Sequence, residues 1–170
     1  MSNKLKAGGA MPELALPSVG GGTVRIGGTG RWQMIVVYRG KHCPLCAKYL
    51  ARLQELKGDC DAAGIEVVAI STDPRDKAEA QASAQGLGMP VAYDLSIAQA
   101  RDLGLYISDP RSPQETDRPY AEPGTFVVNP DGRLQIIDIS NAPFARPDLA
   151  ALVRGITYIR EKNYPIRGTA

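Results

Sequence analysis

Apolar positions along the chain fall into two patterns, short continuous or alternating runs and longer stretches recurring every three or four residues, and these divide it into strands and helices. Trp32 to Tyr38 holds the continuous run Met34-Ile35-Val36-Val37 and predicts a buried strand. Cys46, Leu50, Leu53 and Leu56 follow at helical spacing, marking one apolar helix face, with Gly58 or Gly64 as the expected stop. Ile65 to Ile70 is a β-branched run and predicts a central parallel strand. Ser71-Thr72-Asp73-Pro74 then opens a helix from Arg75 to about Gln85, which Gly86-Leu87-Gly88 ends. Pro90 to Leu95 predicts a short strand, and Ser96 caps a short helix running to about Leu103.

Farther on, Thr125-Phe126-Val127-Val128 and Leu134 to Ile139 read as strands, and the Asp131-Gly132 step between them is a strong hairpin signal. Arg146-Pro147-Asp148 begins a last helix whose apolar face is Leu149, Leu152, Ile156 and Ile159, and Asn163-Tyr164-Pro165 stops it. Before the first buried strand, Met11 to Val19 and Thr23 to Ile26 predict a hairpin turning at Gly20-Gly21-Gly22. Ser108 to Pro123 has no periodicity and reads as a long loop, of a length that is commonly functional. Residues 1–10 and 165–170 read as loose ends. The layout predicts one α/β domain over residues 1–170, a mixed sheet flanked by helices with an N-terminal β-hairpin.

Composition narrows the function classes. With 22% charged residues and a formal net charge of +2, the chain is too nearly neutral to argue for nucleic acid or an anionic membrane surface. No apolar run is long enough to span a bilayer, and Met1 to Ala10 lacks the apolar core of a secretory signal. Three cysteines in that context read as intracellular thiols, so a cytoplasmic location is expected. The glycines form no phosphate cradle, and no nucleotide cofactor is expected.

The chemistry concentrates in Tyr38-Arg39-Gly40-Lys41-His42-Cys43-Pro44-Leu45-Cys46, where the first buried strand hands over to a helix. A Cys-x-x-Cys pair in a βαβ setting points to thiol–disulfide exchange. With Cys43 as N-cap, Pro44 takes the first helical position, where its missing N–H costs nothing. The Cys43 sulfur then faces free backbone N–H groups and the positive end of the helix dipole, which favours the reactive thiolate. Arg39, Lys41 and a protonated His42 are expected to push the same way. Cys46 lies one turn on, close enough to Cys43 for a disulfide after a small adjustment. A zinc site is not expected: it needs four ligands, only His42 and Cys60 remain, and His42 adjoins Cys43. Cys60 reads as a small buried hydrophobe.

Three blocks, Tyr-Arg-Gly-Lys-His-Cys-Pro-Leu-Cys at 38–46, Val-Val-Ala-Ile-Ser-Thr-Asp at 67–73 and Gly-Thr-Phe-Val-Val-Asn-Pro-Asp-Gly at 124–132, together resemble the peroxiredoxin-like branch of the alkyl hydroperoxide reductase/thiol-specific antioxidant (AhpC/TSA) family. The resemblance implies a thioredoxin-like fold. It implies a cysteine that attacks a hydroperoxide, becomes a sulfenic acid and is recovered through a disulfide. It also implies an external thiol reductant of thioredoxin or glutathione type and leaves a homodimer open. The usual motif of that family is Pro-x-x-x-Thr-x-x-Cys. Laid on this chain with its cysteine at Cys46, it puts its threonine on Cys43 and its proline on Arg39. The arginine usual just before the Phe-Val-Val strand is replaced by Pro123, in the place of the substrate-binding cis-proline of thioredoxins. Arg39, Arg111 and Arg118 are the candidate substitutes for that arginine. Helix capping favours Cys43 as the nucleophile and the family motif favours Cys46. The resulting reading is a hydroperoxide-reducing oxidoreductase with Cys43, Cys46, Arg39 and His42 at its centre. Reduction of protein disulfides and a non-catalytic redox sensor are the alternatives.

Overall fold

The computed structural model describes residues 4–170. Its sheet is built outward from β3 (Trp32–Val37), which pairs in parallel with β4 (Ile65–Ile70) and antiparallel with β8 (Gly124–Val128). The short β5 (Val91–Ala92) extends the sheet beyond β4, and β9 (Leu134–Ile139) extends it beyond β8, giving the order β5-β4-β3-β8-β9. The tight turn at Asn129–Arg133 forms as expected: Asn129 Oδ1 accepts the backbone N–H groups of Asp131 and Arg133, both at 3.0 Å. The N-terminal hairpin is β1 (Leu14–Pro17) with β2 (Thr23–Ile26), and the Ser18–Ala92 bridge joins it to the sheet at β5.

Alternation along β3 sorts the core into two layers. Met34, Val36 and Tyr38 face α1 (Pro44–Ala62) and α4 (Leu149–Lys162), with Leu50, Leu53, Leu56, Val153 and Ile156 packed among them. Ile35 and Val37 face the hairpin and α3 (Ile97–Asp102), with Leu16, Ile26, Leu95 and Leu103 in that layer. Helix α2 (Arg75–Gln85) joins the first layer through Ala82 and ends in left-handed Gly86. The capping box at Ser96 is complete, with Gln99 returning the bond.

Three expectations change. The α4 face is centred on Val153 between Leu149 and Ile156, with Leu152 and Ile159 only half-buried, because the helix docks rotated by one position. The loop from Ser108 to Pro123 contains order: β6 (Ile107–Ser108) pairs antiparallel with β7 (Tyr120–Ala121) and closes it as a hairpin. The N-terminal arm is docked rather than loose over its described part. Gly8 N–H donates to the Leu134 carbonyl, Leu134 N–H donates to the Gly9 carbonyl, both at 2.8 Å, and Ala10 bridges Arg133. These bonds pair the outer edge of β9 at its first residue, Leu134. Residues 1–3 of the expected arm lie outside the described residues. The C-terminal residues have no regular structure, and Ile166 is half-buried. No described helix is long and apolar enough to cross a membrane.

Candidate active site

Central strand β3 delivers Tyr38 and Arg39 to its carboxyl end, and Gly40 then turns the chain at φ +137°. The turn brings Lys41 N–H onto the buried carboxylate of Asp73 at 2.7 Å, so the end of β4 ties down the loop that carries the cysteines. A Cβ on Gly40 would sit 2.6 Å from Asp73 Oδ1, so both the conformation and the space require glycine. Burial raises the Asp73 pKa, and the Lys41 N–H bond works against that rise.

Cys43 caps α1 as the sequence predicts. Its backbone is extended (φ −107°, ψ 105°), Pro44 occupies the first turn, and its Sγ accepts the Cys46 N–H at 3.3 Å. All three cysteines are free thiols. The Cys43 thiol is held well below the ordinary thiol range, at about 6. The largest cause is a hydrogen bond from the Cys46 side chain; the Cys46 N–H and the charges of Arg39 and Arg146 add to it, against the cost of burial. Cys46 is pushed strongly the other way, because it is the donor in that bond and is fully buried. At neutral pH the pair is therefore a thiolate at Cys43 beside a thiol at Cys46.

Arg39 lies between Cys43 and the last strands. Its guanidinium makes a bidentate pair with the buried Glu122, at 2.8 and 2.9 Å, and lies 5.5 Å from the Tyr120 ring centroid. Ser108 also donates to Glu122, at 2.7 Å, so the β6–β7 hairpin fixes the carboxylate that fixes the arginine. His42 packs edge-on against Tyr120, with ring centroids 4.5 Å apart, and neither ring nitrogen has a hydrogen-bond partner. Burial lowers its pKa, so His42 is neutral at pH 7. The expectation of a protonated His42 helping the thiolate is corrected accordingly. Lys41 is exposed, and it contributes its backbone N–H to the site.

A cleft of about 540 Å³ opens at Cys43 and is lined by Arg39, His42, Leu45, Arg111, Glu115 and Pro143, among others. Arg111 is held by Glu115 at 2.6 Å, whereas Arg118 pairs with Asp117 and does not line the cleft. Pro123 does not match the cis-proline expectation, since no described peptide bond is cis. It is buried, and its carbonyl accepts the Ser140 N–H at 3.0 Å, so that group is used inside the sheet rather than offered to a substrate. Pro123 lies in the trans form in the short break between β7 (Tyr120–Ala121) and β8 (Gly124–Val128). Cys60 is buried near the far end of α1, and burial together with Asp61 and Asp59 pushes its thiol up to about 11. From position 46 to position 60 the helix rises about 21 Å, so Cys60 takes no part in the pair.

The residue that sequence reasoning missed is Arg146. It lies 100 positions after Cys46, in the segment entering α4, and its Nη1 donates to Cys46 Sγ at 3.5 Å. The guanidinium stacks 4.2 Å above the Tyr49 ring, and the Tyr49 hydroxyl anchors the same segment by donating to the Pro147 carbonyl at 2.7 Å. The only hint in the sequence is the expectation of an arginine near the sulfurs; nothing local to Arg146 marks it.

The sequence profile of the AhpC/TSA family matches residues 7–137. The chain belongs to that family. A peroxiredoxin-named protein of Mycobacterium tuberculosis is 28% identical over 136 residues, covering 79% of this chain and 85% of its own. The alkyl hydroperoxide reductase C of Amphibacillus xylanus is 27% identical over 135 residues, covering 78% of this chain and 69% of its own. Among solved structures, a peroxiredoxin-like protein from Aquifex aeolicus superposes with a TM-score of 0.78 at 15% identity, over 92% of this chain and 88% of its own. That likeness shows the thioredoxin-like fold. Family membership makes this AhpC/TSA protein a peroxiredoxin-type antioxidant enzyme, a thiol peroxidase.

Proposed function

We propose that the protein reduces hydroperoxides through a dithiol/disulfide cycle in which Cys43 attacks and Cys46 resolves. The observation that carries this reading is the Cys43 sulfur at the N-cap of α1, accepting the Cys46 N–H and opening on the cleft. The Cys43 thiolate displaces one peroxide oxygen. An S–O bond forms, the O–O bond breaks, and the departing hydroxide or alkoxide takes a proton. Cys46, as thiolate, then attacks the sulfenic sulfur, forming the S–S bond and expelling hydroxide, which leaves as water. An external dithiol or glutathione reopens the disulfide by exchange. Such a reductant pool belongs to the cytoplasm, where the protein is expected to work.

In this reading Arg39 supplies positive charge beside the thiolate, and its ion pair with Glu122 keeps it in place. Neutral His42 shapes the cleft wall, with its ring against Tyr120 and both ring nitrogens buried. The test is peroxide consumption supported by dithiothreitol, with hydrogen peroxide and cumene hydroperoxide side by side. Turnover that Cys43→Ser abolishes supports the reading; no turnover with either peroxide overturns it. Because the same Cys-x-x-Cys geometry suits disulfide exchange, insulin reduction is the matching assay for the second reading, action on protein disulfides. The trans Pro123, with its carbonyl occupied, counts against that second reading.

A further inference from the structure

The two cations beside the cysteines differ in how they are compensated. Arg39 is neutralised by a bidentate carboxylate. Arg146, among the described residues, makes no ion pair: its guanidinium meets the Cys46 sulfur and the face of Tyr49, and its buried Nε–H has no hydrogen-bond partner. An uncompensated charge held against a buried sulfur stabilises negative charge on that sulfur, and low local polarity strengthens the effect. Yet the resting reduced protein keeps Cys46 as the protonated donor to Cys43. The Arg146 charge is thus set where negative charge is absent in the resting state and develops only during turnover.

We propose that Arg146 is a catalytic residue for the steps in which Cys46 carries the electron pair. This rests on the cycle proposed above but concerns its second half. In the resolving step Cys46 loses its proton and attacks the sulfur of Cys43 sulfenic acid; the S–S bond forms and hydroxide leaves with a proton as water. In the recovery step a thiolate of an external dithiol attacks Cys43 Sγ, the Cys43–Cys46 bond breaks, and its electron pair goes to Cys46 Sγ. The second thiol of the dithiol then releases Cys43, so that the dithiol is oxidised by two electrons and the protein disulfide is reduced by two. A more stable thiolate leaves faster in such exchange. Arg146 faces the leaving sulfur in the second case and the attacking sulfur in the first. Tyr49 is a positioning residue, its ring 4.2 Å from the guanidinium carbon and its hydroxyl tethering the chain at Pro147. Lysine keeps the charge but lacks the guanidinium's several fixed N–H donors, so it cannot hold both contacts in the same way.

The test uses Arg146→Met, which keeps the apolar stem, and Arg146→Lys, with Tyr49→Phe as a milder change that removes only the tether. Each variant is first checked for wild-type circular dichroism. The protein disulfide is prepared with diamide, so the recovery step is read without peroxide, as the rate of reduction by dithiothreitol at pH 7. Arg146→Met is expected to slow that reduction roughly ten- to a hundredfold, the range of one charge-assisted hydrogen bond. Arg146→Lys should recover part of it, and Tyr49→Phe should lose less than Arg146→Met. In a Cys43→Ser background, Arg146→Met should move the Cys46 titration further upward. The first, peroxide-dependent oxidation of Cys43 should change by less than about threefold, because the Arg146 charge adds less to its acidity than the Cys46 bonds and Arg39 do. A folded Arg146→Met protein whose disulfide is reduced at the wild-type rate overturns the inference, whatever its peroxidase activity. Slowed reduction in a protein that does not consume peroxide supports Arg146 and overturns the peroxidase reading alone.

Discussion

Replacing Cys46 with alanine isolates the interaction that makes Cys43 acidic. The substitution removes the S–H donor, the largest cause of the lowered Cys43 pKa, and leaves the Cys46 backbone N–H bond and the helix N-terminus intact. Hydrogen bonds to charged groups contribute about 1.5–3 kcal/mol, and 1.36 kcal/mol corresponds to one pH unit. The Cys43 midpoint should therefore rise from about 6 to roughly 7–8. At pH 7 the thiolate fraction then falls from about 90% to roughly 10–50%. Absorbance of the thiolate at 240 nm, titrated with Cys60 replaced by alanine, reads this directly. Alkylation rates are a weaker guide, since the more basic thiolate is also the better nucleophile and offsets part of the loss. Cys46→Ser keeps a hydroxyl donor and should titrate much nearer the wild type. A Cys46→Ala protein still titrating at or below 6 refutes the S–H donor as the main cause of the acidity, and a Cys43→Ser protein in which Cys46 titrates near 6 refutes the assignment of the acidic thiol to Cys43.

Other outcomes follow from the same geometry. Gly40→Ala forces a Cβ against the Asp73 carboxylate at a positive φ and should cost ~2–4 kcal/mol, read as a lower urea midpoint of the reduced protein. Glu122→Gln leaves Arg39 half-buried without its carboxylate. It should destabilise by about 2–3 kcal/mol, yet move the Cys43 titration to still lower pH, because the Arg39 charge is no longer offset. A Cys43 midpoint that rises instead contradicts the role given to Arg39. Since the folded pKa of Cys43 is depressed, its thiolate stabilises the reduced fold fully above the unfolded thiol pKa near 9. That contribution is lost as pH falls through 6. Urea titrations of the reduced protein should thus show its stability relative to Cys43→Ala rising between pH 6 and 9, by up to about 4 kcal/mol.

The sequence made the cysteine loop readable because its determinants are local. Pro44 fixes the helix start, so Cys43 is the cap, and the steps from Cys46 to Leu56 fix the buried face. The mixed sheet was readable because β3 and β4 are continuous apolar runs buried on both faces and the Asp-Gly turn pairs β8 with β9. What escaped depends on contacts distant in sequence. Arg146 reaches Cys46 only because α4 docks against α1, and Arg39 finds Glu122 only through the sheet. The trans state of Pro123 depends on the extended run it interrupts, and the two-residue strands β6 and β7 are too short for any periodicity to show.

The central claim is that Cys43 is the sulfur that attacks and Cys46 the sulfur that resolves. The most direct test is to expose the reduced wild type, Cys43→Ser and Cys46→Ser to one equivalent of hydrogen peroxide with dimedone present, quench in milliseconds, and map the products by mass spectrometry. The account predicts a Cys43–Cys46 disulfide in the wild type and a dimedone adduct on Cys43 in Cys46→Ser. It predicts no oxidation faster than that of a free thiol in Cys43→Ser. Rapid adduct formation on Cys46 in the Cys43→Ser protein, or no fast oxidation in any of the three, contradicts it.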